Sequence, residues 1–131
     1  LANLTGLSLH GKKFTTLPSE IGKLTNLVYL GLGENQITTL PAEIGQLANL
    51  TWLYLEGNQL TTLPPEIGKL TKLTELQIEN NPVTDTDLEH LKSLTSLRRL
   101  NVRETEVTKV GVEAIRKTLP NCEIKVLRQH P

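Results

Sequence analysis

The candidate nucleophiles and bases are three histidines, one cysteine and a few scattered serines. The histidines and the cysteine are far apart in the sequence: His10, His90, Cys122 and His130. Covalent catalysis requires a nucleophile, a base and an orienting group that converge. The sequence also has no phosphate-binding loop, dinucleotide fingerprint, HExxH motif or paired cysteines for zinc. We therefore predict that the chain is not an enzyme, that it uses no cofactor, and that Cys122 is a small buried hydrophobic residue.

The aromatic residues are few, and most of them carry a polar group. Trp52 and Tyr54 lie two residues apart, and Leu53 and Leu55 alternate with them. Residues two apart in a strand share a face. This segment therefore has a leucine face and an aromatic face, and the elements around it must decide which of the two is buried.

The charges balance overall but are sorted along the chain. Lys plus Arg and Asp plus Glu both number 14, so no net charge indicates a nucleic-acid partner. Residues 1–32 carry 3 basic and 1 acidic residue (net +2), residues 33–92 carry 3 and 9 (net −6), and residues 93–131 carry 8 and 4 (net +4). A partner would meet an acidic middle between two basic ends.

Neither a membrane insertion nor an internal disulfide is expected. No apolar run reaches the roughly 18 residues that a membrane span needs. Cys122 is the single cysteine, and a chain without disulfides favours a reducing compartment such as the cytoplasm. The sequence opens without Met, so an N-terminal segment could have been removed and the localisation stays open.

The chain repeats itself at a period of 23 residues. Each unit has apolar residues at alternate positions of a short run, such as Leu30 and Leu32 or Leu53 and Leu55, which predicts a half-buried strand. A unit this small cannot bury its own apolar face, so neighbouring units must stack with their strands side by side. The units are residues 1–23, 24–46, 47–69, 70–93 and 94–118, followed by a C-terminal cap at 119–131.

The shared frame LxxLxLxxNxL resembles that of leucine-rich repeat proteins. The second half, LPxEIGxL, is similar to the short-loop class of plant intracellular Ras-group and bacterial leucine-rich repeat proteins. The resemblance covers essentially the whole chain. It implies one α/β domain, residues 1–131, built as a right-handed solenoid with a parallel β-sheet on the concave side and short 3₁₀ or α turns on the convex side.

Several other positions have predicted structural roles. One Asn at each strand exit should bond stacked turns in the middle three units: Asn35, Asn58 and Asn81. Short turns should follow Pro18, Pro41 and Pro64, and longer helices are predicted over residues 85–92 and 109–118. We expect Phe14 at a core position equivalent to Ile37 and Leu60. A sixth strand would turn Ile124 and Val126 inward.

The N-terminal unit shows no polar cap, because repeat chemistry starts at Leu1. An uncapped solenoid end exposes a sheet edge and part of the core. Either the chain is a fragment of a longer one, or this end packs against another molecule, as in a homodimer.

If the leucines point inward, the alternating residues form the concave surface. That surface holds all three polar aromatics together with an acidic and a basic sector, and Gly31, Gly33 and Gly57 beside them would leave room for a partner group. Calcium between Glu56 and Glu79 is disfavoured because no Asp-rich oxygen cage accompanies them. The candidate partner-binding residues are Tyr29, Glu34, Trp52, Tyr54, Glu56, Glu75, Gln77, Glu79, Arg99, Asn101 and Arg103.

The sequence therefore predicts a non-catalytic module that binds another protein through its concave face. Trp and Tyr are enriched at interface hot spots, and exposed aromatic patches often mark binding surfaces. Two alternatives remain. The same aromatics could bind a carbohydrate or another small ligand, or the array could be purely structural or self-associating.

Overall fold

A computed structural model of the protein describes residues 3–126, and these form one layered solenoid. Six short parallel strands lie side by side in chain order. They are β1 (Gly6–Ser8), β2 (Tyr29–Gly31), β3 (Trp52–Tyr54), β4 (Glu75–Gln77), β5 (Arg99–Asn101) and β6 (Glu123–Lys125). Equivalent repeat positions pair across every strand boundary, for example Leu30 with Leu53 and Leu53 with Leu76. The repeat of the sequence is thus the register of the sheet.

The leucine face of each strand is the buried one. Leu30, Leu53 and Leu76 are completely inaccessible to solvent, and Leu100 is 1% exposed. The second leucine set behaves in the same way, with Leu32 and Leu55 at 0%. One continuous aliphatic core therefore runs behind the sheet, and the residues between the leucines face the concave surface.

The convex side is built from 3₁₀ turns in the first three units and from α-helices in the last two. The turns span Ser19–Lys23, Ala42–Gln46 and Pro65–Lys69, and each begins directly after a proline in extended conformation. Proline fixes the φ angle of that corner, and PxEIG is long enough for one tight turn. The isoleucine of each turn packs into the core.

The two helices are α1 (Asp85–Glu89) and α2 (Lys109–Thr118). Thr84 and Asp87 form a capping box at the start of α1, and Thr108 caps α2. α2 has the predicted bounds, but α1 is shorter than the predicted 85–92. After Glu89 the backbone amides bond three residues back instead of four, as His90 N does to Asp87 O at 3.1 Å, so the chain tightens into turns.

A ladder of buried asparagines connects the middle units, as predicted. The Asn58 side chain accepts a hydrogen bond from Ile37 N at 3.0 Å and donates to the carbonyls of Leu32 and Leu55, each at 3.0 Å. Asn35 and Asn81 make the equivalent bonds to their neighbouring units. Each side chain satisfies backbone groups that the loop geometry would otherwise bury without partners.

In the fifth unit, Thr105 stands in place of the asparagine, and its hydrogen bonds stay within its own turn. Its hydroxyl donates to Val102 O at 2.7 Å and accepts from Val107 N at 3.3 Å. The ladder therefore ends at Asn81, and the fifth unit is joined to its neighbours by the sheet, the core and the α1–α2 contact.

The two ends of the array differ. Phe14 lies at the predicted repeat position, because its amide donates to Asn35 Oδ1 at 3.0 Å in the same way that Ile37 N donates to Asn58 Oδ1. The Phe14 side chain is nevertheless 40% exposed, so the prediction that it belongs to the core is wrong. Within the described residues Phe14 has a neighbouring unit on one side, whereas Ile37 has one on each side. At the other end Ile124 is buried and Val126 packs half-buried against the core.

Replacing the central asparagine should destabilise the fold strongly. Asn58→Ala leaves the Ile37 amide without its acceptor, whereas Leu32 O and Leu55 O each lose one donor and keep Asn35 Nδ2 and Asn81 Nδ2. A buried unpaired group of this kind costs about 1–3 kcal/mol, so we expect a loss in that range. Urea unfolding followed by circular dichroism measures it.

Asn49→Ala is the matched control, because the Asn49 side chain bonds Thr25 O and Lys72 Nζ at the exposed surface. It should change the free energy of unfolding by about 0.5 kcal/mol or less. Equal losses for the two variants would contradict the structural role of the ladder.

Candidate functional site

The predicted binding residues lie on one continuous surface, the concave face of β2–β5 and the residues just beyond each strand. One row across the strands contains Tyr29, Trp52, Glu75 and Arg99, each paired with the next. The second row contains Gly31, Tyr54, Gln77 and Asn101. Beyond the strand ends come Glu34, Glu56, Glu79 and Arg103. The sequence thus predicted which residues share the face.

Two of the three aromatic rings are in direct contact. The rings of Tyr29 and Tyr54 meet edge to face, with centroids 5.5 Å apart and planes at 72°. Trp52 pairs with Tyr29 in the sheet and is 40% exposed, while both tyrosines are half-buried. The two tyrosine rings cover part of each other's surface. The indole of Trp52 is therefore the most accessible apolar group of the cluster.

The sequence predicted that the glycines beside the aromatics leave room for a partner group, and this prediction is wrong. A Cβ on Gly31 would collide with the hydroxyl of Tyr29, and one on Gly33 would collide with the Glu56 carboxylate. A Cβ on Gly57 would come within 2.5 Å of Glu34 Oε1. These glycines make room for the protein's own side chains: the Tyr29 ring lies along its own strand over Gly31, and Glu56 and Glu34 reach over a glycine of the adjacent unit.

Glu34 is unusual in its backbone as well as its side chain. Its φ angle is +56°, in the left-handed region that non-glycine residues seldom adopt. The equivalent positions include Gly57 at +69° and Asn80 at +58°, so the turn imposes this conformation in every unit. The recurrence of Gly and Asn at this position is the sequence signal for this conformation.

Glu56 and Glu79 are neighbours beyond the ends of β3 and β4, and their carboxylates are partly withdrawn from water. One oxygen of Glu79 accepts a hydrogen bond from Asn101 Nδ2 at 3.1 Å. The other, Oε1, is buried without a hydrogen-bond partner, as is Oε1 of Glu56. Burial is the main cause that raises the pKa of Glu79, and a hydrogen bond with its own backbone opposes this. The Glu56 charge raises the pKa further, while Arg103 and Lys125 lower it.

Glu75 lies next to Trp52 and is held by its neighbours. Its Oε2 accepts a hydrogen bond from Gln77 Nε2 at 2.8 Å. Burial raises the pKa of the Tyr54 hydroxyl, and the nearby Glu75 carboxylate raises it further, followed by Tyr29 and Glu56. Tyr54 is therefore a neutral phenol set among carboxylates, and it can donate a hydrogen bond but not act as a base.

The basic end of the surface is more exposed. Arg99 Nε lies 3.9 Å from Glu123 Oε1, and both side chains are about two-thirds accessible, so this ion pair contributes little to stability. The Arg103 amide donates to Asn101 Oδ1 at 3.1 Å, and its side chain remains exposed. Glu123 and Lys125 of β6 extend the concave surface, as their alternation with the inward Ile124 would have indicated.

The candidate catalytic residues do not come together. His10 is exposed at the first unit, His90 follows α1, and Cys122 is buried, which raises the pKa of its thiol to about 11. His130 lies outside the described residues. Within residues 3–126 no group of three His, Cys, Asp or Glu side chains could hold a metal ion, and no helix there has the length and apolar character needed to cross a membrane.

Removing the Glu79 charge should stabilise the protein in a pH-dependent manner. A carboxyl group whose pKa is raised by folding lowers the free energy of unfolding when the group is charged. This effect is fully present above the raised pKa and disappears below the unfolded value of about 4.3. We therefore expect Glu79→Gln to raise the free energy of unfolding at neutral pH and to lose that advantage in acid.

Urea unfolding at several pH values measures this difference, with Glu66→Gln on the convex side controlling for the loss of one negative charge. An amide at position 79 can still accept from Asn101 and can donate to Glu56. A Glu79→Gln protein that is less stable at neutral pH, or whose gain persists in acid, would contradict the assignment.

Comparisons with known proteins agree with this architecture. A family model described as a leucine-rich repeat region matches residues 1–129. A leucine-rich repeat protein of Leptospira interrogans is 35% identical, with a TM-score of 0.76, over 95% of this chain and 37% of that one. An internalin C2 of Listeria monocytogenes is 25% identical, with a TM-score of 0.83, over 95% of this chain and 52% of that one.

The leucine-rich repeat domain of APL1B shares the fold, at 22% identity and a TM-score of 0.80, over 96% of this chain and 39% of that one. No curated protein matches with significance. The chain thus spans 37–52% of the length of these solved structures. From the repeat, the sheet, the asparagine ladder and the matching family model, we conclude that the chain belongs to the leucine-rich repeat proteins.

Proposed function

We propose that this domain binds another protein through its concave face, with Trp52 at the centre of the contact. Leucine-rich repeat domains are in general protein-interaction modules, and solenoids use their extended concave surfaces for binding. The observation that carries the proposal is the exposed indole of Trp52 beside two tyrosine rings that contact each other. The repeat does not require an aromatic residue at these positions. At the position of Trp52 the other four units have Gly6, Tyr29, Glu75 and Arg99, so three of them have no aromatic there.

The arrangement favours a pre-organised interface. The tyrosine rings are fixed by their edge-to-face contact, and the flanking carboxylates are held over glycines, so little side-chain entropy is lost when a partner docks. Aromatic centres with polar rims are the pattern of protein interfaces. The acidic sector beside the aromatics and the arginines of β5 and beyond would restrict a partner to one orientation.

A carbohydrate ligand is the alternative for the same surface, because an exposed indole suits stacking on a sugar ring. A glycan array with no binding to any sugar would remove it. The homodimer predicted from the sequence also stays a prediction. Its support is a largely apolar depression at the first unit, lined by Leu7, Leu9, Leu17, Pro18, Ile21 and Leu24 together with Glu20 and Lys23.

Two neighbouring substitutions separate binding from folding. Leu53 is fully buried, so Leu53→Ala should lower the free energy of unfolding by about 2–5 kcal/mol. Trp52→Ala on the opposite face should change stability by about 1 kcal/mol or less. It should instead weaken the binding of peptides selected from a displayed random library on the wild-type domain by about 2 kcal/mol or more.

If Trp52→Ala unfolds the domain as severely as Leu53→Ala does, the assignment of the two faces is wrong. If no selected peptide depends on Trp52, the concave face is not the binding surface under these conditions and the proposed function fails.

A further inference from the structure

Two buried side-chain oxygens on the concave face have no hydrogen-bond donor. They are Oε1 of Glu56 and Oε1 of Glu79. A buried oxygen without a donor is uncommon in folded proteins, and leaving one costs free energy. Within the described residues, a second oxygen of the pair has one donor, Asn101 Nδ2. The pair therefore has acceptor capacity that the domain does not fill.

The two carboxylates belong to adjacent units. The backbone ladder continues past the strands at this point, since Glu34 N bonds Glu56 O at 2.8 Å and Gly57 N bonds Glu79 O at 3.0 Å. The Glu56 charge raises the pKa of Glu79, so the two groups interact electrostatically. Arg103 and Lys125 are near enough to oppose that shift, yet neither forms an ion pair with these carboxylates among the described residues.

The aromatic rings adjoin this pair. Tyr54 precedes Glu56 by two residues and lies on the same face, and the Glu75 and Glu56 charges both act on its hydroxyl. Trp52 lies on the same face again, with Glu75 as its partner on the next strand. A cation that reaches Glu56 and Glu79 across this surface would pass beside Tyr54 and Trp52, and cations are attracted to the faces of such rings.

We propose that the concave face over β2–β4 receives a basic side chain of the protein partner, Arg or Lys, which donates to Glu56 and Glu79 and packs its stem against Tyr54 and Trp52. This inference rests on the proposed function and adds the chemistry of the partner. Arg fits best, because its planar guanidinium has five donors and can bond two carboxylates at once. The strand and strand-exit positions of this face over β2–β4 carry Glu34, Glu56, Glu75 and Glu79 and no Lys or Arg, which favours a basic partner segment at this place.

A divalent cation fits the same oxygens less well. Calcium takes 6–8 oxygen ligands, and the described residues contain no cluster of three acidic or other metal-binding side chains here. An ammonium or guanidinium group needs fewer acceptors and gains from the neighbouring rings. The observed mixture of aromatics with two carboxylates therefore matches an organic cation better than a metal ion.

The experiment uses peptides selected from a displayed random library on the wild-type 131-residue chain. Each peptide is measured against wild type, Trp52→Ala, the double variant Glu56→Gln/Glu79→Gln and the matched double variant Glu43→Gln/Glu66→Gln. The last removes two carboxylates at equivalent repeat positions on the convex side, so it has the same net charge. Thermal unfolding of all four proteins establishes that each is folded.

We expect selected peptides to be enriched in Arg or Lys and to bind the Glu56→Gln/Glu79→Gln domain at least about tenfold more weakly, in line with losses at desolvated charge pairs. The Glu43→Gln/Glu66→Gln domain should bind as wild type does. Replacing the arginine of a peptide by citrulline, which has nearly the same shape without the charge, should cause a similar loss.

Peptides that need Trp52 but tolerate Glu56→Gln/Glu79→Gln, or that bind equally well with citrulline, would overturn this inference and leave the proposed function intact. Equal losses for the concave and convex double variants would reduce the effect to net charge and would also overturn it. An absence of Trp52-dependent peptides would overturn both.

Discussion

The stacking of units in register is the constraint on which the rest of the structure depends. A 23-residue unit has no second layer of its own, so its leucines are buried only when a neighbouring unit presents the same leucines one strand away. The asparagine ladder fixes this distance and register by exchanging hydrogen bonds between units, as Asn58 does with Ile37 and Leu32. Once the leucine face is committed inward, period-two alternation places every intervening residue on the concave surface.

The sequence predicted the features that the repeat dictates. Pairing of Tyr29 with Trp52 and of Trp52 with Glu75 follows from equal repeat positions, and burial of Leu53 follows from alternation. It did not predict features that depend on how far individual side chains reach. Tyr29 and Glu56 extend over Gly31 and Gly33, and Phe14 is 40% exposed although it occupies the repeat position of the buried Ile37. A single sequence does not encode such contacts as a pattern.

The concave face differs from the core in how completely its groups are buried and hydrogen-bonded. The core satisfies nearly every group with a neighbour of the same kind, whereas the face keeps an exposed indole and two carboxylate oxygens without donors. Natural sequences depart from local consistency mostly at functional sites. The location of these departures on one surface, beside the aromatics, is the common support for both the proposed function and the inferred basic partner.

The accessibility of Trp52 tests the central claim most directly, because it is the single tryptophan and reports on its own face without ambiguity. Acrylamide quenching of its fluorescence should be efficient in the free folded domain. It should fall when a selected peptide binds, with a shift of the emission to shorter wavelength. A tryptophan that is shielded in the free domain, or one whose quenching is unchanged by bound peptide, would contradict the account.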